Sequence, residues 1–282
     1  MRQDIASLEG FYQTPLGRHA AAALASRIDA LWPGAHGLSL LGIGYPAPLL
    51  NGLAASARRT AAVMPDGQGV AAWRAVEPRG NASLLSREDR LPFADQTFDR
   101  AILLHALEEA EAPQVMLREL WRVLAPEGRL LVVAANRRGL WARAESTPFG
   151  HGRPWTRAQL ALLLSQAMFQ TTAWTHALHA PPIPGALALS LAHVWERSGE
   201  TLHSAFGGAV MIEAVKRLYI DPRSGAPEAT KSALAKARKG IAGAPKEQAP
   251  RDARLGVENG PLTEPENERL ICRHTDSKGP AE

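Results

Sequence analysis

The chain has 282 residues, a formal net charge of +4, 45% hydrophobic and 21% charged residues, and one cysteine. With Cys272 alone it can build neither an intramolecular disulfide framework nor a cysteine-based zinc site, so a reducing, cytoplasmic setting is expected and a metal is not. The opening MRQDIASLEGFYQ has no basic segment leading into an apolar one, and the most apolar stretch, Ile183 to Val194, is shorter than the ~20 residues of a membrane span, so neither a secretory leader nor a span is expected.

In chain order, the first predicted helix runs from Leu16 to Leu31, with Ala20, Leu24, Ile28 and Leu31 on one stripe and Trp32-Pro33-Gly34 as its stop. Leu38 to Leu41 reads as a strand ending at Gly42-Ile43-Gly44-Tyr45-Pro46, and a glycine pair there is expected to open a helix. Further strands are predicted at Thr60 to Met64, Asn81 to Leu85 and Arg100 to Leu104. A helix then opens at Pro113 and runs to Leu124, burying Leu117, Leu120, Trp121 and Leu124. Pro126-Glu127-Gly128 turns the chain into the strand Arg129 to Ala135. After a long loop, 136–155, a Thr156-x-x-Gln159 capping box starts another helix. Two last strands, Gln170 to His176 and Ala209 to Tyr219, follow, joined by a Pro-rich and then amphipathic connection.

All 16 aromatic residues lie at or before Tyr219, and 5 of the 6 lysines lie after it. The expectation is therefore an α/β domain over 1–222, divided into an N-terminal helical segment (1–36), a cofactor half (37–135) and a substrate loop with final strands (136–222). The remainder, 223–282, reads as a low-complexity, disordered tail with at most a short basic helix at Ser232 to Ile241. Counting 21 basic against 19 acidic residues in 1–222, and 11 against 9 in 223–282, leaves +2 in each part, so neither has the excess expected of a polyanion binder.

Gly42-Ile43-Gly44 after a strand is compatible with a plain turn or with a cofactor loop; it is neither a phosphate-binding Walker loop nor a complete dinucleotide fingerprint. Two further blocks decide more: LPFADQTFDR at 91–100 and LRELWRVLAPEGRL at 117–130. Together they resemble the class I S-adenosylmethionine-dependent methyltransferases, in particular the group related to ubiquinone and menaquinone methyltransferases, over about Leu38 to Phe169. The resemblance implies a Rossmann-like fold, a mostly parallel seven-stranded sheet with helices on both faces, and S-adenosyl-L-methionine as cofactor. Gly42, Ile43, Gly44, Tyr45, Met64, Leu85, Glu88, Asp89 and His105 are the implied cofactor positions. The chain departs from the family where acids usually stand: Leu40 before the glycine loop, Met64 at the ribose position and Arg87 at the adenine position, with Pro46 replacing a third glycine. Asp66 is close enough in sequence to replace the ribose acid.

From Arg129 to Arg157 six arginines face one acid, Glu145, giving a local +5 beside the region implied to border the substrate. Asn136, Arg137, Arg138, Trp141, Arg143, His151 and Arg153 are therefore candidate substrate residues, for an acceptor with an anionic part; a solvated basic loop tied down by its aromatics explains the same pattern. His105 and His151 are the candidate proton acceptors. Glu108-Glu109 reads as a solvated helix start. Two readings follow: a methyltransferase acting on a small-molecule or lipid-like substrate rather than nucleic acid, or a catalytically degenerate relative that binds a protein partner.

Overall fold

In a computed structural model the described residues are 2–74, 80–185, 195–196 and 206–218. The expectations for the tail at 223–282, its short helix, and most of the amphipathic connection at 186–205 lie outside them.

The domain is built from α1 (Ile5–Gln13), α2 (Pro15–Leu31), β1 (Ser39–Gly44), α3 (Ala47–Ala54), β2 (Arg59–Pro65), β3 (Ser83–Ser86), β4 (Phe98–Leu104), α4 (Pro113–Val123), β5 (Leu124–Ala135), α5 (Arg157–Gln166), β6 (Phe169–Ala177) and β7 (Ala209–Lys216). The strands form one sheet in the order β3-β2-β1-β4-β5-β7-β6. β1, β2, β3, β4 and β5 run parallel, and β7 inserts antiparallel between β5 and β6. This is the Rossmann-like architecture that the sequence implies. The strand β5 begins at Leu124 rather than Arg129, because Leu124 already pairs with Phe98 before an irregularity restores the register at Arg100 and Arg129.

Alternation along the strands builds a core on each face of the sheet. Leu40, Ile102, Leu104, Leu131 and Val133 meet α1, α2 and α3 on one side. Leu41, Ile43, Leu103, Val132 and Ile212 meet α4 and α5 on the other. The capping box of α5 is present: Gln159 N donates to Thr156 Oγ1 while Thr156 N donates to Gln159 Oε1.

The two blocks behind the family resemblance hold each other. Arg122 on α4 donates to the carbonyls of Phe93 (2.9 Å) and Leu91 (3.1 Å), and pairs with Asp95 and Glu119. Glu119 in turn accepts from Leu91 N. Charge-assisted bonds of this kind explain why the two sequences occur together.

The helix α1 is the element that the sequence reading did not contain. Asp4 caps it by accepting from Ser7 N at 2.8 Å, Thr14 ends it, and Thr14 Oγ1 then caps α2 by accepting from Gly17 N at 3.0 Å. Pro15 occupies the first helical position of α2, where its missing N–H costs nothing. These two caps, Asp4-x-x-Ser7 and Thr14-Pro15, were the available sequence signal.

Candidate functional site

The sheet's chain order reverses between β1 and β4, so the crevice beyond their carboxyl ends is the place where an open α/β sheet binds ligands. Gly44 closes β1 at φ +91, and the Leu104 carbonyl stands where a side chain would project, so only glycine lets β1 and β4 end side by side. Tyr45 N then donates to Leu104 O at 2.9 Å. Gly42 is packed by Pro46 and Leu50 of the following helix. Gly42, Ile43, Gly44, Tyr45 and His105 are thus brought together, and β2 and β3 end beside them with Met64 and Leu85 in adjacent register positions.

The crevice is lined by more than these residues. Tyr12 from α1 stacks on Tyr45, with ring centroids 5.6 Å apart, and its hydroxyl is hydrogen-bonded to His105 Nε2 at 2.8 Å. Phe149 meets the His105 ring edge-on at 4.7 Å. His105 holds φ +52, a backbone conformation costly for a residue with a side chain, and it is nearly buried. That burial pulls its imidazole down to about 3. His105 therefore stays neutral at ordinary pH and offers a hydrogen bond rather than a charge. Burial also raises the Tyr12 hydroxyl well above its ordinary value and the Tyr45 hydroxyl to about 12.

Ahead of α1, Arg2 forms an ion pair with Glu88 at 2.8 Å and donates to the Glu109 carbonyl at 3.0 Å. Gln3 N donates to the Glu109 carboxylate. Asp89 is bound by Arg87 at 2.6 Å, which holds its carboxyl below the ordinary range. Met64 is fully buried and its sulfur accepts from Ala71 N. Asp66, exposed directly after β2, accepts from Gly67 N at 2.9 Å.

Glu108 corrects the expectation of a solvated helix start. Its side chain is buried, Oε1 accepts from Ala135 N at 2.8 Å, and Oε2 has no hydrogen-bond partner among the described residues. Burial pushes this carboxyl up to about 7, which makes it the strand-end group poised to exchange a proton near neutrality. Nothing local in the sequence signals this burial, because the residue is covered by Gly152 and Arg153 of a distant loop. Gly152, at φ +69, leaves only 2.7 Å between the site of its missing Cβ and Glu108 O, and Arg153 N donates to that carbonyl at 2.8 Å.

The loop 136–155 is ordered by its aromatics and amides. Asn136 is buried and donates to Gly207 O at 2.7 Å; Trp141 is buried against Gly208 and Phe149 and donates to Ala180 O at 2.8 Å. Arg137, Arg138, Arg143 and Arg153 are exposed. Arg137 donates to Pro154 O, Arg138 lies over Phe206 and Arg153 over Trp155 at 4.5 Å. His151 bonds to Glu145 O at 2.7 Å and lines a cavity of about 430 Å³ with Arg2, Asp4, Ser7, Phe11 and Thr147. An apolar cavity of about 440 Å³ adjoins Phe11, Pro15, Leu16 and Pro184. Neither cavity is lined by Gly42–Tyr45, Met64 or His105.

A family model described as a methyltransferase domain matches residues 41–132. Those residues resemble a methyltransferase domain. The fold around it is the class I S-adenosylmethionine-dependent methyltransferase fold, shown by solved structures of low identity. The S-adenosylmethionine-dependent methyltransferase of Thermotoga maritima, described as a possible histamine N-methyltransferase, is 18% identical at a TM-score of 0.53, over 76% of this chain and 96% of its own. A putative methyltransferase from Haloferax volcanii, solved in complex with the Trm112 methyltransferase activator, is 17% identical at 0.54, over 76% and 95%. A methyltransferase from Aquifex aeolicus is 14% identical at 0.52, over 76% and 100%. No curated protein matches the sequence. Among the described residues, no helix is long and apolar enough to cross a membrane, and no cluster of side chains could hold a metal ion.

The cofactor that this domain indicates is S-adenosylmethionine. The strand-end backbone at Gly42 to Tyr45 matches such a ligand. The side chains do not accommodate it in this conformation: no carboxylate ends β1 or β2, Glu88 is committed to Arg2, and the Tyr12 ring stands between Tyr45 and His105.

Proposed function

We propose that this methyltransferase domain, taken as the unit 1–222 with 223–282 as an appendage, transfers a methyl group from S-adenosylmethionine to a small organic acceptor. The observation that carries the reading is the crevice between β1 and β4, where Gly42 to Tyr45, Met64, Leu85 and His105 gather at the topological switch point. Of the carboxylates near that crevice, Glu88 is held by Arg2 and Asp89 by Arg87, while Asp66 is exposed.

For the acceptor, the cavity holding Arg2 and His151 together with its apolar neighbour favours a molecule that is polar at one end and apolar at the other. Arg137, Arg138, Arg143 and Arg153 are exposed along the same loop as His151, so their part is to attract an anionic group rather than to clamp it. Asn136 and Trp141 shape the loop from within. A second reading, a degenerate methyltransferase domain that binds a protein partner, is favoured by two facts: acids are missing from the ends of β1 and β2, and α1 covers the crevice.

Calorimetric titration with S-adenosylhomocysteine tests the first reading, and saturable binding is the expected result. Absence of heat at ligand concentrations up to about 1 mM, equivalent to about 4 kcal/mol, from the natural chain and from the α1 variants described below would end it.

A further inference from the structure

The contacts of α1 are distributed along the whole crevice. The lead-in to α1 reaches the segments after β3 and after β4 through Arg2 with Glu88 and Glu109, and Gln3 with Glu109. The first residue of α1 meets the turn after β2, where Ile5 lies against Gly69. Its last turn places Tyr12 between the ends of β1 and β4, on Tyr45 and His105. The segment from Arg2 to Tyr12, the lead-in and the helix together, thus meets residues at or just beyond the carboxyl ends of the four strands at the ligand crevice. It does so with the chemistry a nucleoside ligand would use: an aromatic ring stacked face to face, a hydroxyl on a neutral imidazole, and a cation on a carboxylate.

Two features bear on the release of this segment. The contacts that close the crevice are polar, Arg2 with Glu88 and Tyr12 with His105, while Ile5, Leu8 and Phe11 pack on the core. Second, α1 is joined to α2 through Thr14, which is extended (φ −72, ψ 158) and ends one helix while capping the next. A change in the backbone at this single residue re-aims α1 without unwinding α2. Leu8 is the counterweight, a buried residue that holds the helix closed.

We propose that α1 is a built-in competitor of the cofactor: S-adenosylmethionine enters only after α1 has swung out, so the Tyr12–His105 and Arg2–Glu88 contacts set the apparent affinity. This rests on the cofactor reading above and adds its regulation. A site that is open only part of the time binds its ligand more weakly by the fraction open, so weakening the latch strengthens binding. The latch is neutral at its Tyr12–His105 end, because burial keeps the imidazole uncharged. The groups facing that pair from neighbouring elements are Tyr45, Phe149 and Glu108.

The experiment uses the full chain and three variants: Tyr12→Phe, which removes the hydroxyl and keeps the ring; Arg2→Ala, which frees Glu88; and the double change. Affinity for S-adenosylhomocysteine is measured by calorimetry, and hydrogen exchange of amides 5–13 is followed with and without the ligand. The inference expects each single variant to bind several-fold more tightly than the natural chain, and the double variant at least about tenfold more tightly. It also expects saturating ligand to raise exchange across α1. Both results are required. Unchanged or weaker binding in the variants, or an α1 that stays equally protected in the complex, overturns the competitor role while leaving cofactor binding intact. No binding by any of the four proteins removes both the competitor role and the cofactor reading.

Discussion

The crevice at β1 and β4 and the loop 136–155 are both rich in residues that invite a functional reading, and they spend them differently. In the crevice, Tyr12 is drawn onto His105 and Tyr45 while Glu88 pairs with Arg2, and burial leaves His105 and Tyr12 uncharged. In the loop, the charged groups stay exposed and bond to a nearby carbonyl or lie over a ring, while Asn136, Trp141 and Phe149 go inside. A high density of arginine therefore did not produce a convergent binding pocket, whereas a few ordinary aromatics at strand ends produced a closed one. Position at the switch point mattered more than charge count.

The contrast can be broken most forcefully at Trp141. Trp141→Ala should cost about 3–5 kcal/mol, because it removes a fully buried ring and its bond to Ala180 O; urea unfolding checks this. A loss below 1 kcal/mol would mean that the loop does not depend on its internal aromatics.

The next largest effect concerns Glu108 and pH. Its carboxyl stands at about 7 in the folded chain against an ordinary value of 4.5. Between those values the folded chain keeps a proton that the unfolded chain has released. Stability contributed by this group is therefore full below about pH 4.5 and falls as pH rises toward 7, by up to about 3 kcal/mol. Glu108→Gln keeps an acceptor for Ala135 N and cannot ionise. Its unfolding midpoints at pH 5 and pH 8 should show that loss abolished relative to the natural chain; parallel pH profiles would refute the burial argument.

Smaller effects separate the arginines. Arg153→Ala should lose up to about 1 kcal/mol, the worth of an exposed cation over a ring, in this case that of Trp155. Arg137→Ala with Arg138→Ala should change stability by no more than about 0.5 kcal/mol. If the pair attracts an anionic acceptor, the same double variant raises KM, most strongly at low salt, without changing affinity for S-adenosylhomocysteine. An unchanged KM would reduce the loop to a solvated surface.

Much of this protein was legible in the linear chain because the responsible interactions are local or periodic. The helix starting at Pro113, the capping box at Thr156 and Gln159, and the run of apolar residues ending at Ala135 each carry their signal within one element. The blocks at 91–100 and 117–130 identified the fold correctly, and Arg122 shows why they travel together. The glycine pair marked the crevice, since Gly44 lets the ends of β1 and β4 lie side by side.

What the tertiary structure alone decided involves residues far apart in the chain. Lys216, the single lysine of residues 1–222, is buried with its ammonium on Leu124 O and over the Trp121 ring. Glu213 is likewise buried by bonds from Trp32, Arg129 and Thr172. Glu108 changed from a solvated acid to a buried one because a loop some 45 residues later folds over it. Above all, the partner of His105 is Tyr12, 93 residues earlier. Composition and spacing specify which elements form, because helices and strands are set by neighbours in sequence. Whether a strand-end crevice stands open or is filled by the chain's own first helix depends on contacts that exist only after those elements have packed.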